Sequence, residues 1–314
     1  MLYKRYFKPA IIFMFVFTYT ILPFATGESL SANDVNKDHL QTSIKQCENN
    51  GNGQEEGLKN PSKSGTTFYV PWEGSENFLS CQSKNGTPIM MVAYQTVLRD
   101  PLPGEEENVH LAARLLAGTV VKPGEVFSQN NKIGPYVIAR GFKKGPTYIG
   151  TKLTTTIGGG VCKMASTLYN VAILSNLPVV ERHAHSMPVP YVPYGQDATV
   201  SYGNKDLKFK NDTSSPIMIW AQGVDNILYV AFYSSTKPPE VEWHHEMLKL
   251  IKADKVYKMS STLPKGREKL LMEGMDGAIV KSWVTVKNPD GTVIKRDLRK
   301  SYYNPMPHVY EKGK

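Results

Sequence analysis

The sequence predicts an α+β fold in which a helix with a cysteine at its N-terminus packs on an antiparallel β-sheet or small barrel, followed by a small all-β domain. Three observations predict it. Helical spacing begins abruptly after the glycine triplet in TIGGGVCKMASTLYNVA; two-residue alternation fills residues 179 to 234; and the connection KPPEVE separates that region from a further run of strand patterns. At 314 residues and 41% hydrophobic content, the chain can bury a core of this size.

Taken in order, Lys4, Arg5 and Lys8 precede an apolar run from Ala10 to Phe24, with small residues at Ala25 and Gly27. This predicts a signal peptide over residues 1–27. The competing reading is an uncleaved membrane anchor, although the run falls short of the ~20 residues that span comfortably. Residues 28–87 read as a flexible leader with short strands: polar up to about Thr67, then alternating in TTFYVPW. The main domain is predicted over residues 88–237. It opens on the strand-like PIMMVAYQTVL, and a short amphipathic helix follows in EEENVHLAARLLAG, with Val109, Ala112, Ala113 and Leu116 on one face. His110 within that helix is given no role.

Glycine and proline turn signals then lead up to Gly158, Gly159 and Gly160. Beyond them Val161, Ala165, Leu168, Tyr169, Ala172 and Ile173 recur at helical spacing, and the helix should stop before Pro178. The segments VVERHAHSMPV, DATVSYG, DLKFKN, PIMIWAQGV and NILYVAFYSS read as successive strands of a meander or small barrel. A β-rich domain over residues 238–314 contains a hairpin around Asn288 to Gly291.

The formal charge is +9, and removal of residues 1–27 leaves +6, because Lys4, Arg5 and Lys8 go with it. A basic exported domain suits peptidoglycan or another anionic envelope polymer, or simply solubility. Nucleic acid is not expected as a partner, since the lysines are scattered and no zinc-finger or RNA-binding pattern occurs. Nor is an organic cofactor, for want of a nucleotide-binding loop. The cysteines are Cys47, Cys81 and Cys162. Pairing of the first two in an oxidising compartment would leave Cys162 free.

A thiol is nucleophilic as the thiolate, which the positive end of a helix favours. Cys162 stands at such an end, and the glycines before it would leave room for a substrate and free amides for an oxyanion. His183 and His185, two residues apart on an expected strand, are candidate bases, and Asp197 is a candidate orienting carboxylate. The order Cys, His, Asp is that of papain-like and transglutaminase-like folds. Two other readings use the same residues. Cys162, His183 and His185 could supply three ligands of a zinc-type tetrahedron, or the cysteine could fill space beneath a tight turn while the histidines serve strand pairing.

The stretch from GGGVCKMASTLYNVAILSNLPVVERHAHSMPV to DATVSYGNKDLKFKND resembles the core of the VanW domain, and LLAGTVVKPGEVFSQNNKIGP resembles its upstream part. The family pattern falls on Gly158, Gly159, Gly160, Cys162, Ser166, Tyr169, Asn170, Arg182, His185, Ser186 and Asp197. The family's usual glutamine after the cysteine is replaced by Lys163. More faintly, TLPKGREKLLMEGMDG and NPDGTV resemble a G5 domain, a β module proposed to bind cell-wall sugars. The family takes its name from glycopeptide-resistance gene clusters, so the resemblance implies an extracytoplasmic, secreted or envelope-associated protein of a Gram-positive bacterium.

The combined expectation assigns Cys162 as nucleophile, His185 as base and Asp197 as its orienting partner. Gly158, Gly159, Gly160, Lys163, Ser166, Tyr169, Asn170, Arg182, His183 and Ser186 form the surrounding binding set, and no metal is assigned. The chemistry would be amide hydrolysis or transpeptidation on peptidoglycan peptides. The alternative is a wall-binding or scaffolding protein without chemistry.

Overall fold

The computed structural model describes residues 63–99, 101–149 and 152–314. The expected signal peptide, most of the leader and Cys47 lie outside the described residues, and with Cys47 goes any pairing to Cys81. The described part is mixed α+β. Among the described residues, no helix is long and apolar enough to cross a membrane.

A central antiparallel sheet has the strand order Gly65–Thr66, Ile89–Val97, Ile227–Ser234, Ile217–Val224, Thr119–Val121. The strand Ile227–Ser234 is buried along its whole length, and alternation of side chains explains why. Leu228, Val230 and Phe232 face one apolar cluster, whereas Ile227, Tyr229, Ala231 and Tyr233 face another. A strand covered on both sides needs no polar face.

The first cluster is built around the helix Cys162–Leu174, eleven of whose thirteen residues are buried. It packs on Ile89–Val97 and Ile227–Ser234 and also touches the helix Glu105–Leu116. The latter has three glutamates in its first turn, where they complement the positive helix end. Its Val109, Ala112, Ala113 and Leu116 are all fully buried, as the periodicity requires. The Cys162 helix closes at Ser175, and Asn176 takes a left-handed backbone (φ 59°) before Leu177 N–H bonds back to Ala172 O at 2.9 Å.

The second cluster contains a correction to the sequence reading. TTFYVPW was expected as a strand, but only Gly65–Thr66 pairs, and a helix follows at Glu76–Asn85. Ser75 caps it by accepting from Phe78 N–H, and Gly86 ends it with φ 62°. Only Phe78 of that helix is buried, so it has little apolar periodicity to announce it. Trp72 and Phe78 nevertheless cover the second face of the sheet, with Trp72 Nε1 donating to Tyr233 OH at 2.9 Å.

A second correction concerns residues 179 to 203. The strands there are Val179–Glu181 and, later, Lys208–Lys210, which lies between Val179–Glu181 and Val126–Ser128 in a separate small sheet. HAHSMPV and DATVSYG form no regular strand. Pro188, Pro190 and Pro193 lack the N–H a ladder needs, so this stretch runs instead as a loop against the Cys162 helix.

From Glu240 onward the chain is all β. One sheet has the order Glu240–Ile251, Gly277–Lys287, Val293–Tyr303, and the hairpin turns where Gly291 N–H bonds to Asn288 O at 2.9 Å. The other has the order Lys255–Ser260, His308–Gly313, Glu268–Met272. Val284 and Val286 join the core of the Cys162 helix, and the Trp243 ring meets the Tyr169 ring edge-on at 5.4 Å. The C-terminal strands therefore share a core with the helix that carries the thiol.

Replacing Trp72 by alanine should lower stability by about 3–5 kcal/mol, read as a shifted denaturant midpoint. A midpoint equal to wild type would mean that the segment before Ile89 is not part of the folded core.

Candidate active site

The glycine triplet is a packing device. A Cβ on Gly159 would lie 2.1 Å from Gly145 O and 2.6 Å from Pro146 O, both backbone atoms that cannot step aside. Gly160, at φ 102°, would put a Cβ 2.9 Å from Glu105 Cγ. The space that the sequence reading left for substrate is thus filled by the hairpin Lys144–Ile149/Lys152–Ile157 and the helix Glu105–Leu116. What the triplet achieves is to set the start of the helix firmly, with Cys162 as its first residue.

The half-buried Cys162 Sγ lies 3.4 Å from Thr199 Oγ1 and 3.5 Å from Val200 N–H. His185 donates both its backbone N–H (2.7 Å) and its Nδ1 (2.6 Å) to Asp197 Oδ2. With Nδ1 committed there, Nε2 is the ring nitrogen left for the sulfur. Burial by itself would raise the Cys162 pKa. The hydrogen bond and charge of His185 outweigh it, helped by Thr199 and Val200, and bring the thiol below its ordinary value. Burial likewise works against the imidazolium, but Asp197 and then Cys162 lift it to about 9. Asp197, whose burial opposes ionisation, is held at about 2 by His185 and Arg182. Charge from the imidazolium adds to the helix end, which alone contributes ~0.3–1 kcal/mol.

Asp197 is 1% exposed, and its second oxygen is satisfied as well. Arg182 Nη2 donates to Oδ1 at 2.8 Å, while Arg182 Nε donates to the Asp197 carbonyl at 2.7 Å. The guanidinium stacks over the Tyr169 ring at 5.0 Å. Ser166 and Asn170 stitch the helix to this segment. Ser166 Oγ accepts from Ala198 N–H at 2.9 Å, and Asn170 Nδ2 donates to Gln196 O at 2.9 Å. The helix turn that carries the thiol thereby positions the carboxylate.

Three residues of the expected set point elsewhere. Lys163 is buried against the Glu105 carboxylate and under the Tyr191 ring, so its ammonium serves that ion pair and not the sulfur. His183 pairs with Glu181 at 3.0 Å, turned aside from its neighbour because the backbone here is not a strand. Ser186 is exposed and contributes its carbonyl to Asn304 N–H. Among the described residues, no group of three or more His, Cys, Asp and Glu side chains is arranged to hold a metal ion. Sequence reasoning missed Thr199, two residues beyond Asp197, and Ser301 and Tyr303, which reach the same cluster from the far end of the chain.

Residues 104–233 match the family described as VanW like protein. Over that span the chain is VanW-like. The uncharacterized protein YoaR of Bacillus subtilis is 36% identical over 142 residues, covering 45% of this chain and 47% of YoaR. The vancomycin B-type resistance protein VanW of Enterococcus faecalis is 35% identical over 142 residues, 42% of this chain and 50% of its own. The chain thus spans about half the length of the curated relatives it matches. Two solved G5 domains, from HP0197 and from an IgA1 protease, match 24% and 26% of the chain and 99% and 96% of their own. Each is 22% identical, with TM-scores of 0.15 and 0.16. All three members of the Cys162, His185, Asp197 chain fall inside the VanW-like span.

The pH dependence follows from the signs. Cys162 is ionised above its lowered pKa, and His185 stays charged until the pH passes about 9, so the ion pair fills the interval between. Iodoacetamide should therefore alkylate Cys162 in the native protein well below the pH at which an ordinary thiol reacts. Equal profiles for native and unfolded protein would contradict the pairing.

Proposed function

We propose that this is an exported cell-envelope protein in which Cys162 is the nucleophile of an amide hydrolase or transpeptidase acting on peptidoglycan peptides. The observation that carries the reading is the His185 ring bonded to the buried Asp197 at 2.6 Å, with His185 the group that most lowers the Cys162 pKa. Cys162 sulfur would attack an amide carbonyl to form a thioester. His185 would pass its proton to the departing amine. Water or a second amine then takes the acyl group and returns a proton to His185. Asp197 keeps the imidazole charged and oriented, and Arg182, Ser166 and Asn170 keep Asp197 in place.

The wall as target is supported by the basic balance of the chain and by the resistance protein among its relatives. The G5-like resemblance of the C-terminal region fits a wall-holding role there. A second reading, a wall-binding scaffold without chemistry, is favoured by one observation. The cavity of about 150 Å³ beside this cluster is lined by Asp197, Tyr303 and a proline-rich loop and does not include Cys162.

Purified protein incubated with a stem-peptide fragment and an acceptor amine should give hydrolysed or amine-exchanged product by mass spectrometry, together with a thioester on Cys162. Cys162→Ala should remain folded and lose both. Product formed equally by the alanine variant would overturn the catalytic reading.

A further inference from the structure

We propose that Tyr303 and Ser301, on the strand Val293–Tyr303, are positioning residues of the Cys162 site, so that the site is completed by C-terminal strands lying outside the VanW-like span. This rests on the catalytic reading of Cys162 and adds to it two residues and a dependence on the other end of the chain.

The two side chains share one face of the strand. Ser301 and Tyr303 are each 3% exposed, whereas Tyr302 between them is 61% exposed. Tyr303 OH donates to Asp197 Oδ1 at 2.5 Å and accepts from Gly195 N–H at 2.8 Å. The direction of that bond is fixed by its neighbours. Gly195 supplies a proton to the phenol oxygen, and Asp197, ionised and fully buried, can only accept, so the single phenolic proton points at the carboxylate. Ser301 Oγ receives Arg182 Nη1 at 2.8 Å, which holds the far arm of the same guanidinium whose other nitrogens grip Asp197.

Asp197 therefore accepts four side-chain or backbone donors: two from His185, one from Arg182 and one from Tyr303. Without the phenol, Oδ1 keeps a single donor, and Gly195 N–H loses its acceptor in a buried place. The carboxylate is then free to swing away from the imidazole. A packing role for the tyrosine would rest on its ring, which meets Tyr194 at 5.4 Å and survives in phenylalanine. The hydroxyl alone separates the two roles.

The test is the pH profile of Cys162 alkylation by iodoacetamide in the full chain, for wild type, Tyr303→Phe and Ser301→Ala, with thermal unfolding of each. Tyr303→Phe should fold, react about tenfold more slowly at pH 6, and match wild type at pH 10, where any accessible thiol is ionised. Ser301→Ala should move the profile in the same direction by less. Variant profiles superimposed on an activated wild type would overturn this proposal and leave the catalytic reading standing. An ordinary thiol profile in wild type would sink both. Should Tyr303→Phe fail to fold, Ser301→Ala carries the test alone, and an unmoved profile there overturns the proposal.

Discussion

A carboxylate sealed from water must be met by donors on every side, and Asp197 organises this molecule around that requirement. Its burial would favour the neutral acid, yet it is kept ionised at about 2 by the groups around it. Those groups come from two parts of the chain: Arg182 and His185 from the nearby loop after Val179–Glu181, Tyr303 from the last long hairpin. Ser166 and Asn170 fix the backbone on either side of it to the Cys162 helix. Removing one donor leaves a buried polar group under-satisfied, which is more costly than losing a surface contact. The same arrangement decides what His185 can do. With its Nδ1 bound to a buried carboxylate, the ring has its pKa raised to about 9.

Rigid support for the thiol comes from the core. The Cys162 helix is buried on nearly all sides, and its first turn is locked by glycines whose missing side chains let the backbones of Gly145 and Pro146 approach. The sheet beneath it is covered on its other face by Trp72 and Phe78. Apolar burial thus fixes the helix, and the helix fixes Cys162 and, through Ser166 and Asn170, the segment that carries Asp197.

Much of this was legible in the residues. Periodicity located the helices Glu105–Leu116 and Cys162–Leu174, the strand Ile89–Val97 and the late hairpin, because each buries a clear apolar face. Alternation misled in HAHSMPV, where Pro188, with Pro190 and Pro193 just beyond it, forbids a ladder that the apolar pattern alone would suggest. The helix Glu76–Asn85 stayed hidden because it buries one side chain, although Ser75 and Gly86 mark its ends. At the site, the residues brought to Asp197 from nearby sequence could be named in advance. Lys163 and His183 could not be placed, since their partners Glu105 and Glu181 are matters of tertiary geometry. Tyr303 had no local signal at all, being 106 residues from the carboxylate it serves.

The central claim is that His185 is an imidazolium paired with a thiolate at neutral pH, and nitrogen-15 NMR of the His185 ring reports this directly. The account predicts a doubly protonated ring at pH 7.5 that titrates near 9, with the titration moving to lower pH in Cys162→Ala because a negative partner has gone. A ring already neutral at pH 7.5, or one whose titration ignores the loss of the sulfur, would contradict it.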